Sequence, residues 1–366
     1  MKVLIVANGS NGLYNFRGML IHNIAKRGYK VFCILPKSNE KTQIKAENHL
    51  KKMGCHIYHV AMDRRSINPI KDMRLLISYM GCLKKINPDL VITYTIKPNI
   101  YMGILCSMLK IPYAVNITGL GSAFQSEGIF RKIISLLYKI ALNKVKVVFF
   151  ENKGNQEIMI KEGIVKASNA CLLNGAGVDI EKFRYLEYPK NDQEIKFLFI
   201  GRVMKEKGIE ELFCAMKRLR RQGEKCQLVI LGTLEEDYKN KIKEYEKEGW
   251  LQYFGLQEDI RPFIRESHCF VLPSWHEGMA NTNLENAASG RPIITTNIHG
   301  CMEAVEEGIS GYLCESKNAE SLYKTIKKFI NLPYEEKKQM GIEGRKLMEK
   351  EFDKRNVVNK TIDKLF

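Results

Sequence analysis

One stretch, Pro273 to Pro292, constrains the fold more than any other part of the chain. It follows a short apolar run, Cys269 to Leu272, which is typical of a buried strand. After a polar loop, small residues up to Ser289 indicate a helix that ends at Gly290, before a new apolar run begins at Pro292. The order strand, loop, helix, strand is that of a parallel sheet with helical crossovers.

Two carboxylates lie in this stretch, Glu277 in the loop and Glu285 in the helix. A helix that begins near Asn281 or Thr282 presents free backbone N–H groups there, and its positive end suits an anionic group. Glu285 would lie about one turn further along. The two carboxylates are therefore expected to bracket a phosphate site, although an isolated pair of glutamates is most often a loop charge and a solvated helix face.

The same alternation of strands and helices predicts an α/β chain with two doubly wound domains. The first domain begins with a strand over Lys2 to Ala7, a flexible loop over Asn8 to Gly12 and a helix over Phe16 to Arg27. The second begins with a strand over Lys196 to Ile200, and the charged stretch Tyr185 to Glu194 is the predicted linker. The predicted domains are residues 1–187 and residues 188–350, followed by a final helix at about residues 351–366.

Polar residues follow the predicted strands of the first domain. Lys97 and Asn99 follow one strand, and Thr118 and Gly119 follow the next. Ligands of open parallel sheets gather at the carboxyl ends of the strands, so these loops are expected to converge on one crevice. Lys97 is the cation best placed there.

The net charge of +17 is unevenly distributed. Residues 1–188 contain 28 Lys and Arg against 12 Asp and Glu, whereas residues 189–366 contain 30 against 29. A basic first half suits an anionic membrane or a phosphodiester, and no recognition motif supports nucleic acid. A basic, apolar helix over Ile129 to Leu142 is either a solvated face or a membrane contact.

Other features limit where the protein acts. No apolar run approaches the roughly 18 to 20 residues of a membrane-spanning helix, and no secretory signal is evident. The ten cysteines are scattered, which favours buried thiols in a reducing compartment. We therefore expect a cytoplasmic protein. No metal site is expected, because an Asp-x-Asp pattern is absent and His268 and His276 have no ligand partners at metal spacing.

With Glu277 and Glu285 in this setting, the sequence resembles family 4 of the retaining glycosyltransferases, which have the GT-B fold of two Rossmann-like domains facing a central cleft. The resemblance implies that the final helix crosses back onto the first domain. The pattern Gly201-Arg202, four residues, Lys207-Gly208 resembles the donor-diphosphate site of that family. The resemblance implies that Arg202 and Lys207 stabilise the departing diphosphate, that Glu277 lies by the donor sugar and that Glu285 binds the ribose hydroxyls. It also implies front-face attack, in which the departing phosphate takes the acceptor proton.

The motifs and the resemblance together predict the substrate contacts. Catalysis is assigned to Glu277, Arg202 and Lys207. Donor binding is assigned to Gly9, Gly12, Gly201, Arg202, Lys207, His276, Gly278, Met279, Ala280, Asn281, Thr282 and Glu285. Acceptor binding is assigned to Tyr14, Arg17, Arg65, Lys97, Asn99, Thr118 and Gly119. Contacts with lipid head groups are assigned to Arg131, Lys132, Lys139 and Lys144.

The subset of the family that extends undecaprenyl-diphosphate-linked glycans is resembled by four motifs of the first half, Leu13 to Arg17, Arg65 to Pro69, Lys97 to Asn99 and Gly119 to Ser122. A UDP-sugar donor, with N-acetylgalactosamine as the first choice of sugar, a lipid-diphosphate-linked glycan acceptor and the anionic inner leaflet are the expected partners, without nucleic acid and without a metal cofactor. The sequence departs from the family at Leu173 to Asp179, where the usual turn is shorter, and Thr118-Gly119 replaces the frequent His-Asp pair. A nucleotide-sugar 2-epimerase of the same fold and a nucleic-acid binder remain as alternatives.

Overall fold

The computed structural model describes residues 1–63, 68–121, 124, 128–190 and 194–366. The chain forms two compact units. The first comprises Met1–Ala176 with Arg355–Phe366, and the second comprises Gly177–Lys354.

The first unit is a parallel sheet covered by helices. Its elements, with the returning helix α13, are β1 (Lys2–Val6), α1 (Ser10–Lys26), β2 (Lys30–Pro36), α2 (Lys41–Lys52), β3 (His56–Val60), α3 (Pro69–Ile86), β4 (Leu90–Tyr94), α4 (Ile96–Leu109), β5 (Tyr113–Ile117), α5 (Ile129–Leu142), β6 (Val147–Phe150), α6 (Lys153–Lys161), β7 (Ala170–Leu172) and α13 (Lys354–Leu365). The strand order is β3-β2-β1-β4-β5-β6-β7, and all pairs are parallel.

The central strands of this sheet are apolar runs, because helices cover both of their faces. Helices α3, α4, α5 and α6 share one core, to which Tyr79, Met102 and Tyr138 contribute. Helices α1, α2 and α13 share the core on the other face, where Leu20 packs in the same cluster as Ile362. The predicted return of the last helix to the first domain is thus seen in the packing of α13.

The second unit repeats this plan. Its elements are β8 (Ile195–Ile200), α7 (Ile209–Arg221), β9 (Cys226–Leu231), α8 (Lys239–Lys247), β10 (Leu251–Tyr253), α9 (Arg261–Glu266), β11 (Cys269–Leu272), α10 (Asn281–Ala288), β12 (Ile293–Thr296), β13 (Gly311–Cys314), α11 (Ala319–Ile330) and α12 (Tyr334–Glu351). The strand order is β10-β9-β8-β11-β12-β13, again all parallel. The predicted α/β class with two Rossmann-like units is confirmed.

The unit boundaries differ from the predicted domain limits. Val178, Ile180 and Phe183 pack in the core of the second unit, so this unit begins at Gly177 rather than at residue 188. At its other end, the Lys354 N–H donates to the Val178 carbonyl over 2.9 Å. The two chain crossings between the units therefore lie side by side.

Two predicted loops are helical. Helix α1 begins at Ser10 instead of Phe16, because the Ser10 hydroxyl donates to the Gln43 carbonyl over 2.7 Å and the Asn11 N–H donates to the Gln43 side chain over 3.0 Å. Gly12 consequently lies in the first turn of α1. The predicted loop after β4 is likewise the first turn of α4, which includes Lys97 and Asn99.

Arg291 connects the junction of α10 and β12 by hydrogen bonds to helix α9 and to the segment before β8. Its side chain is fully buried and donates to five backbone carbonyls, those of Leu186, Glu187, Ile264, Arg265 and Gly290. Burial lowers the pKa of the guanidinium to about 10, so the group remains charged at neutral pH. A buried cation of this kind is tolerated because its donors are satisfied.

Replacing Arg291 with Met should therefore destabilise the second unit by at least about 3 kcal/mol, since five carbonyls in buried or partly buried surroundings would lose these donors. Both tryptophans, Trp250 and Trp275, lie in this unit, so their fluorescence during urea unfolding reports on it. Exposed Arg265→Met is the matched control and should unfold like the wild type. Equal midpoints for the two variants would contradict this role for Arg291.

Candidate active site

The loops that follow β8 and β11 are in direct contact. Gly208, with φ +71°, approaches the Pro273 backbone so closely that a Cβ at this position would lie 2.0 Å from the Pro273 carbonyl oxygen. The Trp275 N–H donates to the Glu206 carbonyl over 3.0 Å. The strand order reverses between neighbouring β8 and β11, and ligands of open α/β sheets bind at such a switch point.

A lysine and a glutamate meet across these two loops. Lys207 Nζ forms an ion pair with Glu277 Oε1, and the Ser274 hydroxyl donates to the same oxygen over 2.8 Å. Both charged side chains are largely but not fully buried. Two of the three residues assigned to catalysis, Lys207 and Glu277, are thus in contact, whereas the third, Arg202, lies just after β8 and has an exposed side chain.

Threonines of β12 fix the loop that carries Glu277. The Thr296 hydroxyl donates to the Ser274 carbonyl over 2.7 Å, and the Thr295 hydroxyl donates to the Leu272 carbonyl over 2.7 Å. Both threonines are fully buried. These residues are not among the predicted site residues. Their signal in the sequence is a pair of adjacent threonines at the carboxyl end of a buried strand.

Gly300 is a second residue that sequence reasoning missed. Its φ is +91°, and a Cβ at this position would lie 2.7 Å from the Glu277 carbonyl oxygen and 2.8 Å from that of Gly278. Its own carbonyl accepts from the Ala280 N–H over 2.7 Å. Only glycine fits here without displacing the loop between Glu277 and α10.

Helix α10 begins at Asn281, as predicted, and its N-cap residue Ala280 provides no side-chain cap. The backbone N–H groups of Asn281 and Thr282, in the first turn, therefore have no acceptor within the helix. Met279 and Ala280 are buried beneath this end. Such a helix start favours an anionic ligand.

Glu285 lies one turn into α10 and is half-buried. Burial raises the pKa of its carboxyl group to about 7, and the positive charges of Lys182 and Lys354 only partly oppose this rise. A half-buried carboxyl group whose pKa is raised in this way, one turn into a helix at the switch point, is a candidate functional group.

The neighbouring aromatic side chains are also placed by charged partners. His276 Nε2 lies 3.4 Å from Glu206 Oε2, and burial lowers the pKa of the imidazole despite the carboxylates near it. The Trp275 indole N–H donates to Glu211 over 3.0 Å, with Lys317 Nζ 4.9 Å from the ring centre. Among the residues that the structure describes, no cluster of His, Cys, Asp or Glu could hold a metal ion.

Arg17, predicted to bind the acceptor, is buried inside the first unit. It forms an ion pair with buried Glu151 and lies over the Tyr94 ring at 5.1 Å. Burial raises the pKa of Glu151, and Arg17 opposes this effect. The guanidinium is therefore engaged in holding α1 to the segment after β6.

Lys97 and Asn99 lie at the switch point of the first sheet, where α4 follows β4. Lys97 Nζ is 2.8 Å from Asp72 Oδ1 of α3. Asn99 is buried, and its amide donates to the Asn116 carbonyl over 2.8 Å. Thr95, just before them, has φ +72°, a conformation that costs a β-branched residue energy and that concentrates at functional sites.

The other predicted residues of the first unit lie in several environments. Gly9 is buried before α1, and Tyr14 stacks on His49 with ring centres 4.8 Å apart. Thr118 and Gly119 follow β5 and are half-exposed. Arg65 lies outside the described residues, so its role stays a prediction.

The chain is similar to known protein families and to individual glycosyltransferases. Residues 185–347 match the family described as "Glycosyl transferases group 1", and residues 2–152 match "Glycosyl transferase 4-like". Campylobacter jejuni N,N'-diacetylbacillosaminyl-diphospho-undecaprenol alpha-1,3-N-acetylgalactosaminyltransferase is 27% identical over 342 residues, which cover 89% of this chain and 88% of that protein.

Two further proteins are similar to this chain. Escherichia coli UDP-Gal:alpha-D-GlcNAc-diphosphoundecaprenol alpha-1,3-galactosyltransferase is 30% identical, over 72% of this chain and 71% of that protein. The crystal structure of Anabaena HepE in complex with UDP and glucose has a TM-score of 0.79 at 15% identity and covers 100% of this chain and 99% of that one. The structural likeness confirms the GT-B fold class.

Because the pKa of Glu285 is raised, the free energy of unfolding should depend on pH. The pKa of about 7 exceeds the ordinary 4.5, so between these pH values the folded protein holds more protons than the unfolded chain. Stability should therefore fall as the pH rises from about 5 to 8, by up to about 3 kcal/mol.

Glu285→Gln should remove this fall, as measured by urea unfolding followed by tryptophan fluorescence across the pH range. Glu335→Gln is the matched control, because the Glu335 side chain is 78% exposed, and it should keep the wild-type pH profile. If Glu285→Gln also kept that profile, the carboxyl group would not be perturbed as described.

Proposed function

Because the chain belongs to the group 1 and type 4-like glycosyltransferases, we propose that it moves a hexose or N-acetylhexosamine, with N-acetylgalactosamine as the first choice, from a UDP-sugar to an undecaprenyl-diphosphate-linked saccharide. The acceptor class rests on the two relatives, whose names specify diphospho-undecaprenol substrates. The product would serve the assembly of a cell-surface or protein-linked glycan.

The observation that carries this proposal is the grouping of charges at the switch point of the second sheet. Arg202 and Lys207 follow β8, while Glu277 and the start of α10 follow β11, the neighbouring strand. Two cations and the positive end of a helix at one place suit a diphosphate.

These groups would act on the leaving group. As the bond between the anomeric carbon and the phosphate oxygen breaks, negative charge grows on the UDP diphosphate. Fixed cations aimed at this charge lower the barrier more than they strengthen ground-state binding. Arg202, exposed in the free protein, and Lys207 would supply that stabilisation, so that no protonating acid and no metal ion is required.

Glu277 would have a different task. It fixes the Lys207 ammonium group through the ion pair, and its backbone packs against Gly300. From this position it would orient the hydroxyls of the donor sugar. The acceptor hydroxyl would attack from the face that the UDP leaves, so the anomeric configuration would be retained. The proton of the hydroxyl would pass to the departing phosphate.

Glu285 would accept hydrogen bonds from the two ribose hydroxyls. Two hydroxyl donors favour the ionised carboxylate, which burial alone disfavours. Nucleotide binding would therefore lower the pKa of Glu285.

The acceptor diphosphate would be bound in the first unit, where Lys97, beside the switch point, is the leading cation. Buried Arg17 would support the fold of this region rather than contact the acceptor. The described residues contain no helix long and apolar enough to cross a membrane. We propose peripheral binding at the inner face of the cell membrane, because the basic first half suits anionic lipid.

The proposal predicts that UDP is released only when both a UDP-sugar and a lipid-diphosphate-linked saccharide are present. The assay compares UDP-GalNAc, UDP-GlcNAc, UDP-Glc and UDP-Gal, with EDTA throughout. Conversion of the sugar without an acceptor would indicate the 2-epimerase alternative. Transfer that occurs only when divalent ions are added in excess of EDTA would contradict the metal-independent mechanism. Duplex binding without turnover would indicate a nucleic-acid binder.

A second prediction concerns the two cations. Arg202→Met and Lys207→Met should each lower kcat/KM for the UDP-sugar by roughly ten- to a hundredfold, since each removes a charged hydrogen bond that strengthens in the transition state. Lys205→Met is the matched control, because this exposed lysine lies in the same loop but faces the Trp275 ring at 5.8 Å. Equal losses in all three variants would show only a general effect of charge.

A further inference from the structure

Helix α5 exposes a continuous apolar stripe, which we call the α5 ridge. It consists of Ile129, Ile133, Leu136 and Ile140, whose side chains are between 49% and 78% exposed. At 3.6 residues per turn, this spacing places all four within an arc of about 60°. The opposite side of the helix is anchored, since Tyr138 and Leu142 are buried in the core of the first unit.

The same layer of helices exposes further large apolar side chains. Ile70, Met73 and Ile77 of α3 and Met108 at the end of α4 are more than half exposed. Helices α3, α4 and α5 pack on the same face of the sheet. Single exposed apolar residues need no explanation, but aligned sets on one layer indicate an interaction surface.

The charges around the α5 ridge favour an anionic bilayer over a second copy of this chain as the binding partner. Helix α5 contains no Asp or Glu. Lys132 and Lys139 lie on one flank of the ridge, and Lys144 lies just beyond the helix; all three are exposed. A second copy of this surface would bring cations against cations, whereas an anionic bilayer offers both phosphates and an apolar interior.

Arg131 does not belong to this surface, contrary to the sequence-based assignment. It forms an ion pair with Glu162, to which the Ser135 hydroxyl also donates over 3.3 Å. The guanidinium lies 5.9 Å from the centre of the Phe124 ring. Its role is to hold α5 against the segment after α6.

We propose that the α5 ridge inserts into the boundary between head groups and acyl chains of an anionic bilayer, with Lys132, Lys139 and Lys144 at the lipid phosphates. An amphipathic helix with an apolar stripe and flanking lysines binds in this way, parallel to the membrane plane. Binding then combines a salt-sensitive and a salt-resistant contribution. The inference rests on the proposed function only in that a lipid-linked acceptor would lie in the same bilayer.

The test is flotation of the full chain with phosphatidylglycerol-containing and pure phosphatidylcholine vesicles at low and high salt. Ile133→Ser/Ile140→Ser should weaken binding to the anionic vesicles by about tenfold or more, because two apolar side chains no longer leave water. The matched control, Ile158→Ser/Ile309→Ser, removes two exposed isoleucines from α6 and from the second unit and should bind like the wild type. Lys132→Glu/Lys139→Glu should reduce both the affinity and its dependence on salt.

Insertion has a separate readout. The Leu136→Trp variant should show a blue-shifted emission with anionic vesicles and quenching by lipids brominated on their acyl chains. Three results would overturn the proposal: ridge variants that bind like the wild type, an indole in the Leu136→Trp variant that brominated lipids do not quench, or ridge variants that lose self-association instead of vesicle binding.

These measurements require no turnover, so they separate the surface from the catalytic proposal. The ridge variant should transfer sugar normally to a detergent-dispersed acceptor. If the protein binds vesicles through the α5 ridge but does not use any UDP-sugar, the proposed function is contradicted and the membrane-binding surface is still supported.

Discussion

The close approach of Gly208 to the Pro273 carbonyl is the constraint on which the candidate site depends. No side chain fits between these backbones, so the loop after β8 is fixed against the loop after β11. The ion pair between Lys207 and Glu277 lies across this contact. Because Thr296 and Gly300 fix the second loop from behind, the charged groups are placed before any ligand arrives, as electrostatic catalysis requires.

The two units differ in the charge and in the exposed apolar residues of their surfaces. The second unit is nearly neutral, and two of its cations, Arg202 and Lys207, follow β8 at the switch point, where a phosphate ligand suits them. The first unit carries the excess positive charge and an exposed apolar ridge on a helix that contains no acids. Those properties suit a lipid surface rather than a small anionic ligand. In the proposed glycosyl transfer, the second unit would bind the donor and the first unit the lipid-linked acceptor.

Local patterns predicted the fold well. Apolar runs identified the strands. Helix α10 begins at Asn281, one of the two predicted starts, and ends at Ala288, shortly before Gly290, where small residues predicted its end. The placement of Glu277 and Lys207 in one donor site followed only from resemblance, and their ion pair was not predicted, since the two residues lie far apart in the chain. Packing determined the remaining features: the Gln43 side chain extends α1 to Ser10, and buried Glu151 withdraws Arg17 from solvent. Such contacts join distant segments, and no periodicity in the sequence reveals them.

The central claim is that the second unit binds a nucleoside diphosphate through Arg202, Lys207 and the start of α10. Calorimetric titration of the full chain with UDP and with uridine tests it most directly. UDP should bind at least about a hundredfold more tightly than uridine, a difference of about 2.7 kcal/mol, and Lys207→Met should reduce this ratio while leaving the uridine affinity unchanged. Equal affinities of the wild type for UDP and uridine would contradict the account.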